Sequence, residues 1–176
     1  MNAAIRQVGV VLRRSEVNHA WVAHVWSPEA ILPDPPSAAA GASLGRSGDS
    51  ELFYGGIGTL ELYRSETGFY RDNLIDGKPL IWVALRSQSE TGDVELVQVT
   101  ADPTEGETLM EAGADIVAPV PMPADIAAWV AAFVEEFHVE QVFHKRQRDK
   151  SGPDPRKKPG TRNTPGDGSR RTGEGS

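Results

Sequence analysis

Four stretches of this chain hold residue types that could do chemistry, and each chemistry demands a setting that can be checked. Gly41-Ala42-Ser43-Leu44-Gly45 matches the G-x-S-x-G pattern of serine hydrolases. That nucleophile needs a sharp turn between a buried strand and a helix. Here the pattern lies inside a Pro/Ala/Gly stretch with neither flank, so it reads as loop composition. Gly55-Gly56-Ile57-Gly58 could cradle a phosphate through free backbone N–H groups, but strand-type residues follow where a helix N-terminus should begin. A β-bulge is the better reading. His19 and His24 are five apart, which puts them on opposite faces of a strand, and His138 and His144 are six apart, beyond the spacing at which one helix presents two imidazoles. No pair of acids has a forced orientation, so neither a catalytic residue nor a metal site nor a bound cofactor is expected.

The fourth stretch is different. Arg64, Glu66, Tyr70, Arg71, Asp72 and Asn73 crowd one short helical segment, although residues 1–144 hold only 8 Lys and Arg in all. Arg forks and Tyr rings are the side chains that binding surfaces favour. Arg64, Glu66, Tyr70, Arg71 and Asn73 are therefore the candidate partner-binding residues. The competing reading is that they pair with neighbouring acids and cap their own helix.

These residues must be positioned by a small set of elements. Stretches 5–13 and 20–26 read as two strands of a hairpin, the second rich in Val and Trp. Residues 33–50, with Pro33, Pro35 and Pro36 clustered, read as a long mobile loop. Stretches 52–54 and 58–63 form the next strand, broken by Gly55-Gly56. Ser65 offers an N-cap to a short helix that Gly77 and Pro79 stop. Strands at 80–85 and 94–100 follow. Asp102-Pro103-Thr104-Glu105 carries three separate signals of a helix start, with Gly113 as its end. After Pro123, Ile126, Trp129, Val130, Phe133 and Phe137 make one apolar helical stripe. Short connections favour antiparallel pairing. The expected fold is α+β: a mostly antiparallel, curved sheet of about five strands, with three helices mainly on one face.

Charge divides the chain in two. Residues 145–176 hold 10 of the 18 Lys and Arg and 4 acids, a formal +6, which leaves 8 basic against 21 acidic residues, or −13, before them. The tail lacks the apolar surface that would offset its ordering entropy, so residues 1–144 are expected as a single domain and 145–176 as a disordered basic tail. The tail carries no Phe, Tyr or Trp to stack on bases, and the acidic body repels phosphate, so a nucleic-acid partner is not expected. Cysteine is absent, which rules out disulfides and thiolate chemistry. No apolar run approaches a membrane span or a secretion signal, and the expected location is the cytoplasm.

The residues also carry a resemblance. Val8-Gly9-Val10-Val11-Leu12, Leu60-Glu61-Leu62-Tyr63-Arg64-Ser65-Glu66-Thr67, Tyr70-Arg71-Asp72-Asn73-Leu74, Trp82-Val83, the run Val99-Thr100-Ala101-Asp102-Pro103-Thr104-Glu105-Gly106-Glu107, and the segment from Pro121-Met122-Pro123 to His138 resemble a family of small uncharacterised proteobacterial proteins. The likeness spans about Ile5 to Arg148. Genes of that family often stand beside those for molybdenum-dependent formate dehydrogenase and its maturation factors. The resemblance thus implies a non-catalytic accessory or adaptor, with a formate dehydrogenase subunit or maturation factor as its protein partner. Some relatives are labelled molybdenum-cofactor nucleotidyltransferases, which makes an enzyme of molybdenum-cofactor biosynthesis the alternative. This chain lacks the Gly-rich, Lys-containing N-terminal loop that would hold a nucleoside triphosphate.

Overall fold

The early apolar run builds the central strand of the fold. In a computed structural model, which describes residues 3–112 and 116–140, strand β1 (Ala3–Glu16) buries Val8, Val10 and Leu12 and is paired on both sides. β2 (His24–Leu32) lies antiparallel along one edge and β4 (Ser50–Tyr63) along the other, and the short β3 (Ser43–Ser47) pairs with β4 to complete the order β2-β1-β4-β3. A second antiparallel sheet has β5 (Leu80–Ser87) between β6 (Val94–Thr100) and β7 (Ile116–Pro121).

The α+β class and the antiparallel pairing are as expected, but among the described residues seven strands in two sheets replace about five in one. Two strands escape the sequence for the same reason. β7 contains Pro119 and Pro121, and β3 lies in the stretch expected to be loop; both run along sheet edges, where a missing N–H or a weak propensity breaks no inner ladder. β2 likewise starts at His24 rather than Ala20 and continues through Pro28 to Leu32. The β1–β2 register slips between Val11 and Leu12, leaving Glu29 as the extra residue, and Arg13 grips it through two bonds of 2.8 and 2.6 Å. The bulge expected at Gly55-Gly56 is present: Val10 faces Gly56 and Val11 faces Tyr54, with Gly55 unpaired and Gly56 at φ 106°.

Both sheets feed one core. Val8, Leu60 and Leu62 from the first sheet meet Ile81, Val83, Leu85 and Val99 from the second. The helices add Tyr70 from α1 (Thr67–Leu74) and Ile126, Val130 and Phe133 from α3 (Ala124–Phe137). On the α3 stripe, Trp129 and Phe137 are only half-buried at the core margin, while Val134 completes the buried set. A 3-10 turn over Arg64–Glu66 precedes α1, so Ser65 lies inside that turn instead of capping the helix. Gly77, at φ 69°, donates its N–H to the Leu74 carbonyl at 3.2 Å and ends α1 as expected.

Helix α2 (Pro103–Glu111) has the expected Asp102 cap, whose carboxylate accepts N–H bonds from Thr104 and Glu105 at 2.8 and 3.4 Å. It packs through Gly106 on the Trp82 ring, which faces away from the core-facing Ile81 and Val83. The helices therefore do not share one face. Gly113, where α2 is expected to stop, together with the His144 boundary and the basic tail, lies outside the described residues. No described helix is long and apolar enough to cross a membrane.

Candidate functional site

The fold divides the five candidate partner-binding residues between surface and interior. Arg64 and Arg71 are exposed and held in place. The Arg64 guanidinium lies 3.8 Å from the centroid of the Phe137 ring, a cation–π contact that joins the start of α1 to the end of α3. Arg71 donates to His138 Nε2 at 3.0 Å and lies 3.6 Å from the Glu140 carboxylate. With Nε2 accepting, the proton of a neutral His138 ring is on Nδ1, which meets Thr67 Oγ1 at 3.1 Å, and Thr67 in turn donates to the Arg64 carbonyl at 3.2 Å. Phe69 of α1 is 41% exposed, and Ile75, just past the helix end, is 72% exposed. Glu66 is half-buried at the N-cap of α1 and makes no side-chain cap bond there.

Tyr70 is buried, and the side chain of the half-buried Asn73 is committed to backbone bonds within the fold. Tyr70 is 2% exposed; its ring meets Phe133 edge-on, and its hydroxyl accepts the N–H of Tyr63 at 3.2 Å. Burial pushes its phenol up to about 12. Asn73 donates to the carbonyls of Leu80 at 2.8 Å and Ala101 at 2.9 Å, and accepts the Leu80 N–H at 3.0 Å. It thereby ties α1 to β5 and to the end of β6. Arg64, Glu66 and Arg71 are left as the accessible members of the set.

A second surface lies between the two sheets, where sequence reasoning placed nothing. β3 covers β4 only as far as Phe53, and Tyr54 is bonded to Gly41 and Ala42. Beyond the bulge, β4 pairs only with β1 among the described residues. The Tyr63 N–H points to Tyr70, away from β1, and no register shift separates positions 57 and 63, so the N–H and C=O groups of Ile57, Thr59 and Glu61 point the same way. They meet no strand among the described residues. β6 is one edge of the second sheet, unpaired on its outer side among the described residues, and comes close at Gly58, where a Cβ would lie 2.8 Å from Val99 Cγ2.

The two edges bound a cleft of about 400 Å³, a size typical of ligand sites. Gly58 and Val99 line it together with Glu61 and Glu105, while Ile57 (54%), Tyr63 (43%) and Val97 (42%) are exposed along it. Glu105 does not reach back to its own helix start; it accepts from Gln98 Nε2 at 2.6 Å and from Thr100 Oγ1. Tyr63 donates its hydroxyl to Glu61, which raises the phenol's pKa, with burial and the negative charge of Glu61 and Glu105 adding to the rise. An adjoining hollow of about 610 Å³ contains Arg14, which lies over the rings of Phe53 and Trp26 at 4.7 and 5.7 Å and is paired with Glu51 at 2.9 Å.

The remaining motifs are structural. Ser43 of the G-x-S-x-G pattern lies on β3, with its hydroxyl donating to Glu51 at 2.9 Å and no helix following. His19 Nδ1 accepts the Trp21 N–H at 3.3 Å beside the β1–β2 turn, and His24 opens β2. Among the described residues no three of His, Cys, Asp or Glu converge as a metal ligand set. The cleft was illegible because it is made of backbone edges, which carry no residue signature; Glu61 and Glu105 were visible but had no reason to be grouped.

Residues 7–147 match the model of the family described as a protein of unknown function (DUF3305), and the chain belongs to that family. No curated protein and no solved structure matches it.

Proposed function

We propose that this chain is a non-catalytic accessory protein that works by holding another protein, and that its setting is a molybdenum-dependent formate dehydrogenase system. The setting rests on the resemblance of the residue series given above. The binding role rests on one observation: the exposed Arg64 and Arg71 are fixed by Phe137 and His138. Cations already held in place in the free protein lose little side-chain entropy on binding, the condition for strong anchors. The partner is a formate dehydrogenase subunit or maturation factor, and the contact residues are Arg64, Glu66 and Arg71. Tyr70 and Asn73 support them from inside.

The test is co-purification of the tagged chain from cells that make the dehydrogenase, followed by mass spectrometry. A dehydrogenase subunit or maturation factor should be recovered. The double variant Arg64→Ala, Arg71→Ala should reduce recovery at least about tenfold while still unfolding cooperatively, because anchors of this kind carry about 2 kcal/mol or more each. Undiminished recovery would remove α1 from the contact. A pterin or nucleotide released from the purified protein would instead favour an enzyme of molybdenum-cofactor biosynthesis.

A further inference from the structure

We infer that the β4–β6 cleft binds an extended basic segment of a partner protein as an added strand. This goes beyond the α1 surface and does not depend on it. The backbone groups of Ile57, Thr59 and Glu61 face the cleft with no strand against them among the described residues, and β6 offers the other open edge. An exposed edge of this kind is a template for one more strand, which draws affinity from main-chain hydrogen bonds and specificity from alternate side chains. Folds usually blunt such an edge with Lys, Pro or a covering loop. Here it carries Ile57, Thr59, Glu61 and Tyr63.

Charge selects the occupant. Glu61 and Glu105 line the cleft, and Asp93 and Glu95 follow in the adjoining hollow, which shares Ile57 and Leu96 with it. One cation, Arg14, lines that hollow, and Glu51 already pairs it. An acidic strand would be repelled along this whole line. A basic one is attracted, and residues 1–144 reinforce the attraction with 21 acids against 8 Lys and Arg. The exposed Ile57, Tyr63 and Val97 add apolar contact, so alternating basic and apolar side chains match the cleft.

The experiment uses the full chain and a short fluorescein-labelled peptide that alternates Lys and Val, with a Glu–Val peptide as control and anisotropy as the readout. The Lys–Val peptide should bind and the Glu–Val peptide should not. Glu61→Gln with Glu105→Gln should weaken binding about tenfold, since exposed ion pairs contribute at most about 1 kcal/mol each. Thr59→Pro should abolish binding, because it removes an N–H that faces the cleft and takes no part in the β1 ladder. If that variant does not fold, hydrogen exchange on the wild type decides: the amides of Ile57, Thr59 and Glu61 should gain protection when the Lys–Val peptide is added. Equal binding of both peptides, binding unchanged by Thr59→Pro, or unchanged exchange at those amides would overturn the inference. So would protection before any peptide is added, which at monomer mass assigns the edge to a further segment of this chain and at dimer mass to a second copy.

Discussion

Replacing Gly106 with Ala should destabilise the protein, although the same change stabilises most helices. A Cβ at position 106 would lie 2.3, 2.5 and 2.8 Å from Cγ, Cδ1 and Cδ2 of Trp82. Carbon atoms in contact normally stand about 3.5–4.0 Å apart, so the overlap exceeds about 1 Å against a flat ring that cannot fold away. Helix propensity returns up to about 1 kcal/mol for Gly→Ala. Overpacking costs about 1–3 kcal/mol, with the upper end expected for ring atoms, and tilting α2 away would also loosen the Asp102 cap, which contributes about 1 kcal/mol. The net loss is about 2–3 kcal/mol. Urea denaturation followed by tryptophan fluorescence would read it as a lower midpoint at unchanged slope, and thermal unfolding as a drop of roughly 10 °C. Gly68→Ala in α1 is the control, because nothing lies within 4 Å of its Cβ position, and it should stabilise by a few tenths to about 1 kcal/mol. If both substitutions shifted the midpoint upward, the close packing of α2 on β5 would be refuted. The contact matters for the cleft as well, since Glu105 stands next to Gly106 and moves with it.

Three further outcomes follow from the same contacts. The Tyr70 phenol, pushed up to about 12 by burial, keeps its proton in the folded state where the unfolded chain loses it near 10, so its contribution is complete below pH ~10 and disappears between pH ~10 and ~12. Denaturant midpoints should therefore fall more steeply across that window for the wild type than for Tyr70→Phe, by up to about 3 kcal/mol, and parallel curves would contradict the assignment. Tyr54 is 1% exposed, and its hydroxyl has no hydrogen-bond partner among the described residues, so Tyr54→Phe should be neutral or raise stability by about 1 kcal/mol; a clear loss in calorimetry would reveal a partner. Asp102→Ala removes the acceptor of two helix N–H groups and should cost about 1–2 kcal/mol, with Asp102→Asn retaining most of it in the same chemical denaturation series.

Local features of this protein were settled by the sequence, because their physics lies within a few residues. The Asp102-Pro103 helix start, the stop at Gly77, the bulge at Gly55 and the α3 stripe all depend on caps, backbone freedom or side-chain periodicity, and each is where its residues put it. Strands β3 and β7 were illegible because an edge strand with proline or serine lacks the apolar alternation that marks an inner one. Two of the five candidate contact residues are engaged within the fold in a way the sequence could not show, for a similar reason. Tyr70 and Asn73 look like surface chemistry by type, but the groups they satisfy, Phe133 and the Ala101 carbonyl, come from elsewhere in the chain. Only the tertiary structure decided that the chain forms two sheets rather than one, and that Gly58 lets β6 approach β4. That approach leaves two open backbone edges side by side and gathers Glu61 and Glu105 at one cleft, a juxtaposition set by packing between distant segments and not by any local preference.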